Sequence, residues 1–233
     1  MTTLSLPPLL WEIATPEDPA REALRQARTG CDAGLLCWRV SEDAAQAALV
    51  LAPEVPLTTA LTMLPLCGVG IQNALGALAP PEVAVHLGWD GTLYVNGGRC
   101  GGLTAHASSA EPTALPDWLV IALTVRLSAG SDAPGETPDD TGLYEEGCGE
   151  VDPALLLEAW ARHSLVWLQR WEDEGGKPLH AEWSGLVRGI GEETTQASRT
   201  GTFLGTDDAF GMLLRDAETT HLIPLTHLLE AAP

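Results

Sequence analysis

A β-hairpin predicted over residues 89–103 constrains the fold of this chain more than any other segment. Apolar and polar residues alternate over 92–95, as in a strand with one buried face. Asn96-Gly97 follows, the dipeptide that supplies the two positive φ angles of a tight hairpin turn. Arg99 must then lie early on the return strand, so the chain contains an antiparallel strand pair with a cation near its turn.

Small residues surround Arg99, and this environment is typical of a binding site. Gly101 and Gly102 lack side chains and would let a ligand or another backbone approach the strand closely. A plain hairpin with an Asn-Gly turn and a glycine bulge gives the same pattern. The hairpin alone therefore leaves both interpretations open.

Further strands and helices precede and follow the hairpin. Turn residues and hydrophobic periodicity predict, in chain order, helix 20–29, strands 35–40 and 47–51, helix 58–79, strand 83–87, strand 118–127 and helix 152–174. The branched residues of 118–127 indicate a central strand of the same sheet. Asp152-Pro153 predicts the start of the longest helix, with an N-cap followed by a first-turn proline.

The uncharged run from Val55 to Pro81 is long enough to raise the question of a membrane span. Prolines, glycines and the polar pair Gln72-Asn73 interrupt it. A buried helix that ends before Pro80-Pro81 explains the same composition. We therefore predict a core helix here and no membrane span.

Three further stretches complete the predicted organisation. Residues 128–151 are crowded with Gly, Pro, Ser and acidic residues, a composition typical of a long surface excursion. Gly175-Gly176 predicts the end of the long helix and the start of a linker. Short apolar runs separated by polar turns then predict a small β-barrel, with strands at 186–190, 201–206, 211–215 and 220–225.

The charge balance excludes several classes of partner. With 32 acidic and 12 basic residues, the formal net charge is −20. The sequence has no cluster of Lys and Arg that could displace the counterions of a nucleic acid, and anionic membrane surfaces are disfavoured for the same reason. The N-terminal residues contain no basic region followed by an apolar core, so no secretory signal is predicted. We expect a cytoplasmic protein.

The five cysteines are scattered without C-x-x-C spacing, and their number is odd. Neither a metal site nor a disulfide framework is predicted, and this usage fits a reducing compartment. Cys37 and Cys67 are expected in the core. Cys100 lies beside Arg99 and is either a reactive thiol, if exposed, or a packed strand residue.

The hairpin resembles the catalytic segment of biotin protein ligases and lipoate ligases. In that family a W-P-N-D-like strand end leads through a hairpin to K-x-A/G-G-I/L, and the lysine is catalytic. Here the two places are taken by His86-Leu87-Gly88-Trp89-Asp90 and Arg99-Cys100-Gly101-Gly102-Leu103. The segments GTFLGTDDAFGMLLRD and THLIPLTHLL resemble the family's small C-terminal domain. The resemblance implies an α+β fold: a mixed sheet with flanking helices over residues 1–180, followed by an SH3-like β-barrel over 184–233.

The resemblance also implies a chemistry. In the family, biotin or a lipoyl-type acid attacks the α-phosphate of ATP, and the acyl group then passes to a lysine of a carrier domain. Arg99 takes the place of the catalytic lysine, keeps its charge, and can grip a carboxylate or phosphate in bidentate fashion. The other candidate ligand-binding residues, predicted to line one cleft, are Trp38, Arg39, His86, Trp89, Asp90, Gly101 and Gly102.

Two departures from the family pattern bear on ATP use. The glycine- and arginine-rich loop between the early strands is replaced by 40–47, where Glu42 and Asp43 would repel a phosphate. The family's G-x-N-like segment has become 121–126, without the asparagine. We therefore predict a divergent member that keeps a groove for a biotin- or acyl-type carboxylic acid, or for a biotinyl or lipoyl carrier domain, with adenylate-forming chemistry lost or altered. Biotin, lipoate and ATP are implied as cofactors only if that chemistry is retained.

Other functions remain open from the sequence. An active biotin protein ligase would need Arg99 to replace the lysine. An acyltransferase that avoids ATP could carry a thioester on Cys100. A non-enzymatic interaction module would dock a partner through its acidic surface and small barrel. Family dimers use sheet edges, so a homodimer is compatible with each of these functions.

Overall fold

The computed structural model describes residues 3–129 and 139–230, and within them the larger of two sheets has seven strands. Their bounds are β1 Trp11–Ala14, β2 Leu35–Val40, β3 Ala44–Leu51, β4 Val85–Leu87, β5 Thr92–Val95, β6 Gly98–Ala107 and β7 Leu119–Arg126. The spatial order is β1-β2-β3-β7-β6-β5-β4. Strand β1 runs parallel to β2, and the other neighbouring pairs are antiparallel. The predicted strand 118–127 is confirmed as the central strand.

Helices cover the two faces of this sheet to different extents. Their bounds are α1 Pro19–Arg28, α2 Leu57–Ala60, α3 Met63–Leu78, α4 Pro153–Glu174 and α5 Gly176–Leu186. On one face, α1 packs on β2, β3 and β7, with Leu24, Cys37 and Val120 among the buried side chains between them. Helices α3 and α4 pack against each other and share the large core of the opposite face. The α1 face is therefore covered near β2 and β3 and more open toward β6.

Local sequence explains where two of the helices begin. The Asp18 carboxylate accepts a hydrogen bond from the backbone N–H of Ala20 at 3.0 Å. The Asp152 carboxylate accepts from Ala154 at 2.8 Å and from Leu155 at 3.1 Å. A proline follows each aspartate at the first helical position, where its missing N–H costs nothing. The predicted start of the long helix at Asp152-Pro153 is thus confirmed.

The uncharged run is the core helix that the sequence predicts, in two pieces, α2 and α3. Residues Leu57–Leu78 are long and apolar enough to cross a membrane, yet 72% of the most apolar part is buried inside the fold. The indole of Trp160 on α4, itself fully buried, donates a hydrogen bond to the Cys67 carbonyl at 3.0 Å. A Cβ on Gly70 would lie 2.4 Å from the Ser164 hydroxyl. Glycine at position 70 therefore lets α3 and α4 approach closely.

A second sheet of four antiparallel strands follows in the described part of the chain. Its strands are β8 Glu193–Gln196, β9 Arg199–Thr206, β10 Met212–Arg215 and β11 Thr220–Ile223, in the order β11-β10-β9-β8. A short 3-10 helix, Leu225–Leu228, comes next. The sheet is consistent with the small barrel predicted from the sequence. The connection between β9 and β10 contacts the connection between β4 and β5, since the Trp89 indole donates to the Phe210 carbonyl at 2.7 Å in a buried contact.

Two predictions near the second sheet were wrong. Residues 186–190 are not its first strand, which is β8. The β8–β9 turn places Ala197 and Ser198 at φ values of 51° and 59°. Because glycine and asparagine usually fill such positions, this turn carries no sequence signal. The stretch after Gly175, predicted as a linker, forms helix α5.

The prediction of a surface excursion over residues 128–151 does not hold for all of this segment. Residues 130–138 lie outside the described residues. The part that follows packs into the fold, with Leu143 and Cys148 fully buried. Strand β1 was not predicted, because its four residues are too few to show a periodicity.

Candidate ligand-binding site

An open hollow of about 420 Å³ lies on the α1 face of the large sheet. Alternate residues of a strand share a face, so the side chains that point toward it come from every second position of β3, β6 and β7. The sheet residues that line it on this face are Gln46, Gly102, Thr104, His106, Ala122 and Thr124. The start of α1 and Glu230 form its rim. The floor is therefore built of small and polar side chains, whereas the opposite face of the same strands belongs to the apolar core.

Two arginines converge beyond the Gly102–Thr124 end of the hollow. Arg126 lies two residues past Thr124 on β7 and hence on the same face. Its Nη1 lies 3.3 Å from Oδ1 of Asp140, and the same oxygen lies 3.0 Å from Nε of Arg99. The Asp140 side chain is 20% exposed, against 53% for Arg99 and 41% for Arg126. Asp140 thus bridges the two arginines, which lie on the neighbouring strands β6 and β7.

The backbone around Asp140 is docked on the start of β6. The Arg99 N–H donates to the Asp139 carbonyl at 2.7 Å, and the Thr141 N–H donates to the Arg99 carbonyl at 2.9 Å. A Cβ on Gly98 would lie 2.7 Å from the Thr141 methyl group, so the two segments are in close contact. These contacts hold Asp140 in register with Arg99 as a parallel bridge.

The opposite end of the hollow is closed by the C-terminal segment. The Glu230 N–H donates to the Ala105 carbonyl at 2.9 Å, and Leu229 bridges the same residue in parallel. A Glu230 carboxylate oxygen lies 3.6 Å from Nε2 of His106, whose Nδ1 is buried without a partner among the described residues. The site therefore contains a buried imidazole and a carboxylate at one end, and cations at the other.

The structure brings some of the predicted site residues together on this face. Gly102 lines the hollow, and Arg99 lies past its end. His86 is exposed on the edge strand β4 and pairs with Tyr94, which in turn pairs with Arg99, so the three form a row across the sheet. Burial and then Asp90 raise the pKa of Tyr94, while Arg188 and Arg99 lower it. Asp90 itself is exposed in the β4–β5 turn, where its carboxylate accepts from the Thr92 N–H at 3.1 Å.

Both tryptophans predicted in the cleft lie elsewhere, and this prediction needs correction. Trp38 and Trp89 are 6% and 4% exposed, and both pack in the core on the α3 and α4 side of the sheet. Burying a large aromatic ring there is more favourable than leaving it on an open face. The apolar wall expected from them is therefore absent from the hollow.

Arg39 and the two predicted glycines have structural roles. Arg39 donates from Nη1 to the Pro16 carbonyl at 3.1 Å and thereby ties β2 to the start of α1. Gly101 has φ +140° in the bulge of β6, and a Cβ there would lie 2.0 Å from the Thr124 carbonyl oxygen. A Cβ on Gly102 would lie 2.9 Å from the Gly91 carbonyl oxygen. Glycine is thus needed at both positions because another backbone segment lies against them. The sequence left open whether a ligand or a backbone approaches this strand, and the structure shows backbone.

The connection between β2 and β3 is a tight turn. The Ser41 N–H donates to the Ala44 carbonyl at 2.9 Å, and the Ser41 hydroxyl accepts from the Ala44 N–H at 3.1 Å. The residues enclosed by these bonds include Glu42 and Asp43. The turn is too short to fold over the hollow and carries negative charge where a phosphate loop would carry N–H donors and arginines.

Cys100 is a packed strand residue, and the reactive alternative is not supported. It is fully buried on the helix side of the sheet, and burial, with a contribution from Cys148, raises its pKa to about 12. Burial likewise raises the pKa of Cys37 and of Cys67 to about 12. At pH 8 a thiol with such a pKa is ionised in only about one molecule in ten thousand.

We expect Ellman's reagent at pH 8 to modify one thiol of the native protein, Cys31. It is the cysteine that is not fully buried, although burial also raises its pKa. The other four should react only after a denaturant is added. Cys31→Ser should remove the native-state reaction, whereas a thiol that still reacts in that variant would contradict the burial of the other four cysteines.

Several residues of the site were not singled out from the sequence. Thr104, His106 and Thr124 could have been found, because polar residues occupy every second position of otherwise apolar strands. Asp140 and Glu230 reach the site through tertiary contacts, which no local pattern indicates.

A larger groove of about 880 Å³ lies elsewhere, between β3, the end of α4 and the Asp208–Phe210 loop. It is more apolar, and its charged lining residues are the scattered acids Glu54, Glu172 and Asp208. The sheet hollow is the better candidate, since polar groups and cations converge at it. Within residues 3–129 and 139–230, no group of three or more His, Cys, Asp or Glu side chains is placed to hold a metal ion.

Comparison with known proteins agrees with this fold. Biotin–[acetyl-CoA-carboxylase] ligase of Paracoccus denitrificans is 26% identical over 184 residues, which span 76% of this chain and 75% of that protein. A biotin protein ligase-like protein of unknown function from Silicibacter sp. TM1040 superposes with a TM-score of 0.93 at 55% identity, covering 98% of this chain and 100% of that chain. Biotin protein ligase from Aquifex aeolicus superposes with a TM-score of 0.73 at 19% identity, over 91% and 95% of the two chains, and shares the fold.

Sequence profiles divide the chain between two known types of domain. A domain of unknown function matches residues 190–231, the region of the small sheet. The biotin/lipoate A/B protein ligase family matches residues 6–185, which include the large sheet, its helices and the hollow. This chain therefore belongs to the biotin/lipoate A/B protein ligase family.

Proposed function

We propose that this protein binds a small carboxylic acid of the biotin or acyl type in the sheet hollow and forms no adenylate there. The observation that carries the proposal is the hollow itself, a polar recess with Arg99 and Arg126 beyond its Gly102–Thr124 end and a β2–β3 turn without a phosphate loop. Its volume, about 420 Å³, is in the range of small-molecule sites. The carboxylate of the acid would lie toward the two arginines.

Relatives support the class of ligand. The Aquifex aeolicus ligase has been solved in complex with biotin and ATP, so a protein of this fold accommodates both molecules. In this chain, the glycine- and arginine-rich loop, the lysine and the asparagine of the family pattern, which adenylate formation would need, are replaced by other residues. Two anions must meet in that step, and several fixed positive donors are required to bring them together. Glu42 and Asp43 occupy the turn where those donors would be expected, so binding of the acid alone is the function that the geometry favours.

Calorimetric titration with acids and their methyl esters tests the binding proposal. Biotin, lipoate and octanoate each have an ester of nearly the same shape without the negative charge. We expect at least one acid to bind, and its ester to bind at least about tenfold more weakly, because a charge-assisted contact with arginine is lost. Arg99→Ala should reduce the acid's affinity to that of the ester. Equal affinities for an acid and its ester would contradict the proposal. The absence of binding by all six compounds would also contradict it.

Isotope exchange between pyrophosphate and ATP separates this proposal from an active ligase. Exchange that depends on an added acid requires adenylate formation, so we expect none above background with any of the three acids. Acid-dependent exchange at a rate comparable with an active biotin protein ligase measured beside it would establish the alternative function.

A further inference from the structure

We propose that Asp140 is a specificity-determining residue that sets the charge of the anion accepted beside the hollow. The inference rests on the proposed function and names the ligand's charge: a monoanionic carboxylate, in preference to a polyphosphate. Asp140 has no counterpart in the family motifs matched by the hairpin and comes from the segment that follows β7. Its carboxylate lies between the two cations of the site.

Contact geometry shows that Asp140 is shared by both arginines. One oxygen, Oδ1, lies 3.0 Å from Arg99 Nε and 3.3 Å from Arg126 Nη1. Asp140 is the least exposed of the three side chains. Each arginine is still about half exposed, so its remaining N–H groups can reach an incoming carboxylate. The Asp140 carboxylate therefore occupies some of the N–H groups of the two arginines and leaves the others free to bind an anion.

Backbone contacts keep Asp140 in place. Hydrogen bonds on both sides of Arg99 hold the adjacent Asp139 and Thr141 against β6. The Thr141 side chain is buried, and its hydroxyl donates to Glu146 at 2.6 Å. Asp140 is thus positioned by the fold, as a group must be if it is to select among ligands.

Charge counting gives the selectivity. Two arginines and one aspartate leave a net charge of +1, which one carboxylate neutralises. A pyrophosphate or triphosphate would bring two or more further negative charges to a site whose neighbours, Glu146 and the Glu42-Asp43 turn, are also acidic. Unit charges a few ångströms apart interact strongly when they are partly shielded from water. The site with Asp140 should therefore accept monoanions and repel polyanions.

Asp140→Asn in the full-length chain tests this inference, with inorganic pyrophosphate and octanoate as probes in calorimetric titrations. The amide keeps the size of the side chain and raises the net charge of the cluster to +2. We expect pyrophosphate to bind the variant at least about tenfold more tightly than the wild type. Asp139→Asn is the matched control: it makes the same charge change one residue away, on an exposed side chain, and should alter pyrophosphate binding less than twofold.

The outcomes separate the inference from the proposed function. Equal pyrophosphate affinity in Asp140→Asn and Asp139→Asn would overturn the inference, even if octanoate binds the wild type. A gain confined to Asp140→Asn would support it, even if octanoate and biotin bind neither protein and the proposed function fails.

Asp140→Ser makes the same charge change with a smaller side chain and replaces the amide variant if that one does not fold. Arg126→Gln combined with Asp140→Asn returns the net charge to +1 and should return pyrophosphate binding to the wild-type value.

Discussion

Gly101→Ala is expected to lower the free energy of unfolding by about 3 kcal/mol or more, or to prevent folding altogether. Gly101 has φ +140°, a backbone conformation that other residues rarely adopt. An added Cβ would lie 2.0 Å from the Thr124 carbonyl oxygen and 2.9 Å from the carbon of the same group. Because both atoms are backbone in the central strand of the sheet, relief of the clash would require β6 and β7 to separate.

Gly205→Ala is the matched control for this prediction. Gly205 has a similar φ of +133°, but a Cβ there would meet no heavy atom within 4 Å among the described residues. Its substitution should therefore cost only the backbone strain, about 1–2 kcal/mol. Urea unfolding followed by circular dichroism measures both. Equal losses in the two variants would show that β6 and β7 are not packed as closely as described.

Thr124→Trp is expected to abolish binding of a carboxylic acid, with a loss of at least about a hundredfold in affinity. Thr124 is half-buried on the floor of the hollow, where its hydroxyl faces Gln46. An indole in its place would fill much of the space between β3 and β6. Since the hollow is open to solvent, the larger side chain can be accommodated there without entering the core on the opposite face.

Thr200→Trp is the control for this substitution. Thr200 is an exposed residue of β9, outside the hollow, so the same change in size and polarity should leave acid binding unaltered. Thermal unfolding of both variants verifies that they are folded. Calorimetric titration with the acid that binds the wild type most tightly gives the affinities. Retention of wild-type affinity by a folded Thr124→Trp variant would place the ligand somewhere other than the hollow.

Local sequence predicts the elements whose signals are local. The Asn96-Gly97 turn is confirmed, with φ values of 48° and 94°, because these two residues adopt positive φ more readily than others. The start of α4 is confirmed because an aspartate cap and a first-turn proline act within one helical turn. Strand β8 and helix α5 were missed, since tertiary packing decides them and their composition is ambiguous.

The candidate site is less predictable than the fold, because distant segments complete it. Arg99 was correctly expected on the return strand of the hairpin. Its ionic partner, Asp140, follows a segment rich in Gly, Pro and acidic residues that indicates only a loop. Glu230, opposite His106, lies more than 120 residues further along the chain and reaches β6 from the segment that follows the small sheet.

The face on which a strand residue lies is the other quantity that the sequence left undecided. Trp38 and Arg39 are adjacent on β2 and point to opposite faces of the sheet, so the two side chains cannot both lie on the face of the hollow. Only the position of α1, which covers the Arg39 side of this strand, determines which face is which. The residues predicted for the cleft therefore include members of both faces.

The position of a bound acid tests the central claim most directly. A crystal structure of the protein with the acid that binds most tightly in the calorimetric panel would show it. We predict that the ligand lies in the sheet hollow over Thr104 and Thr124, with its carboxylate toward Arg99 and Arg126. A ligand in the larger groove beside Trp171, or one in the hollow with its carboxylate at the His106 end, would contradict this account.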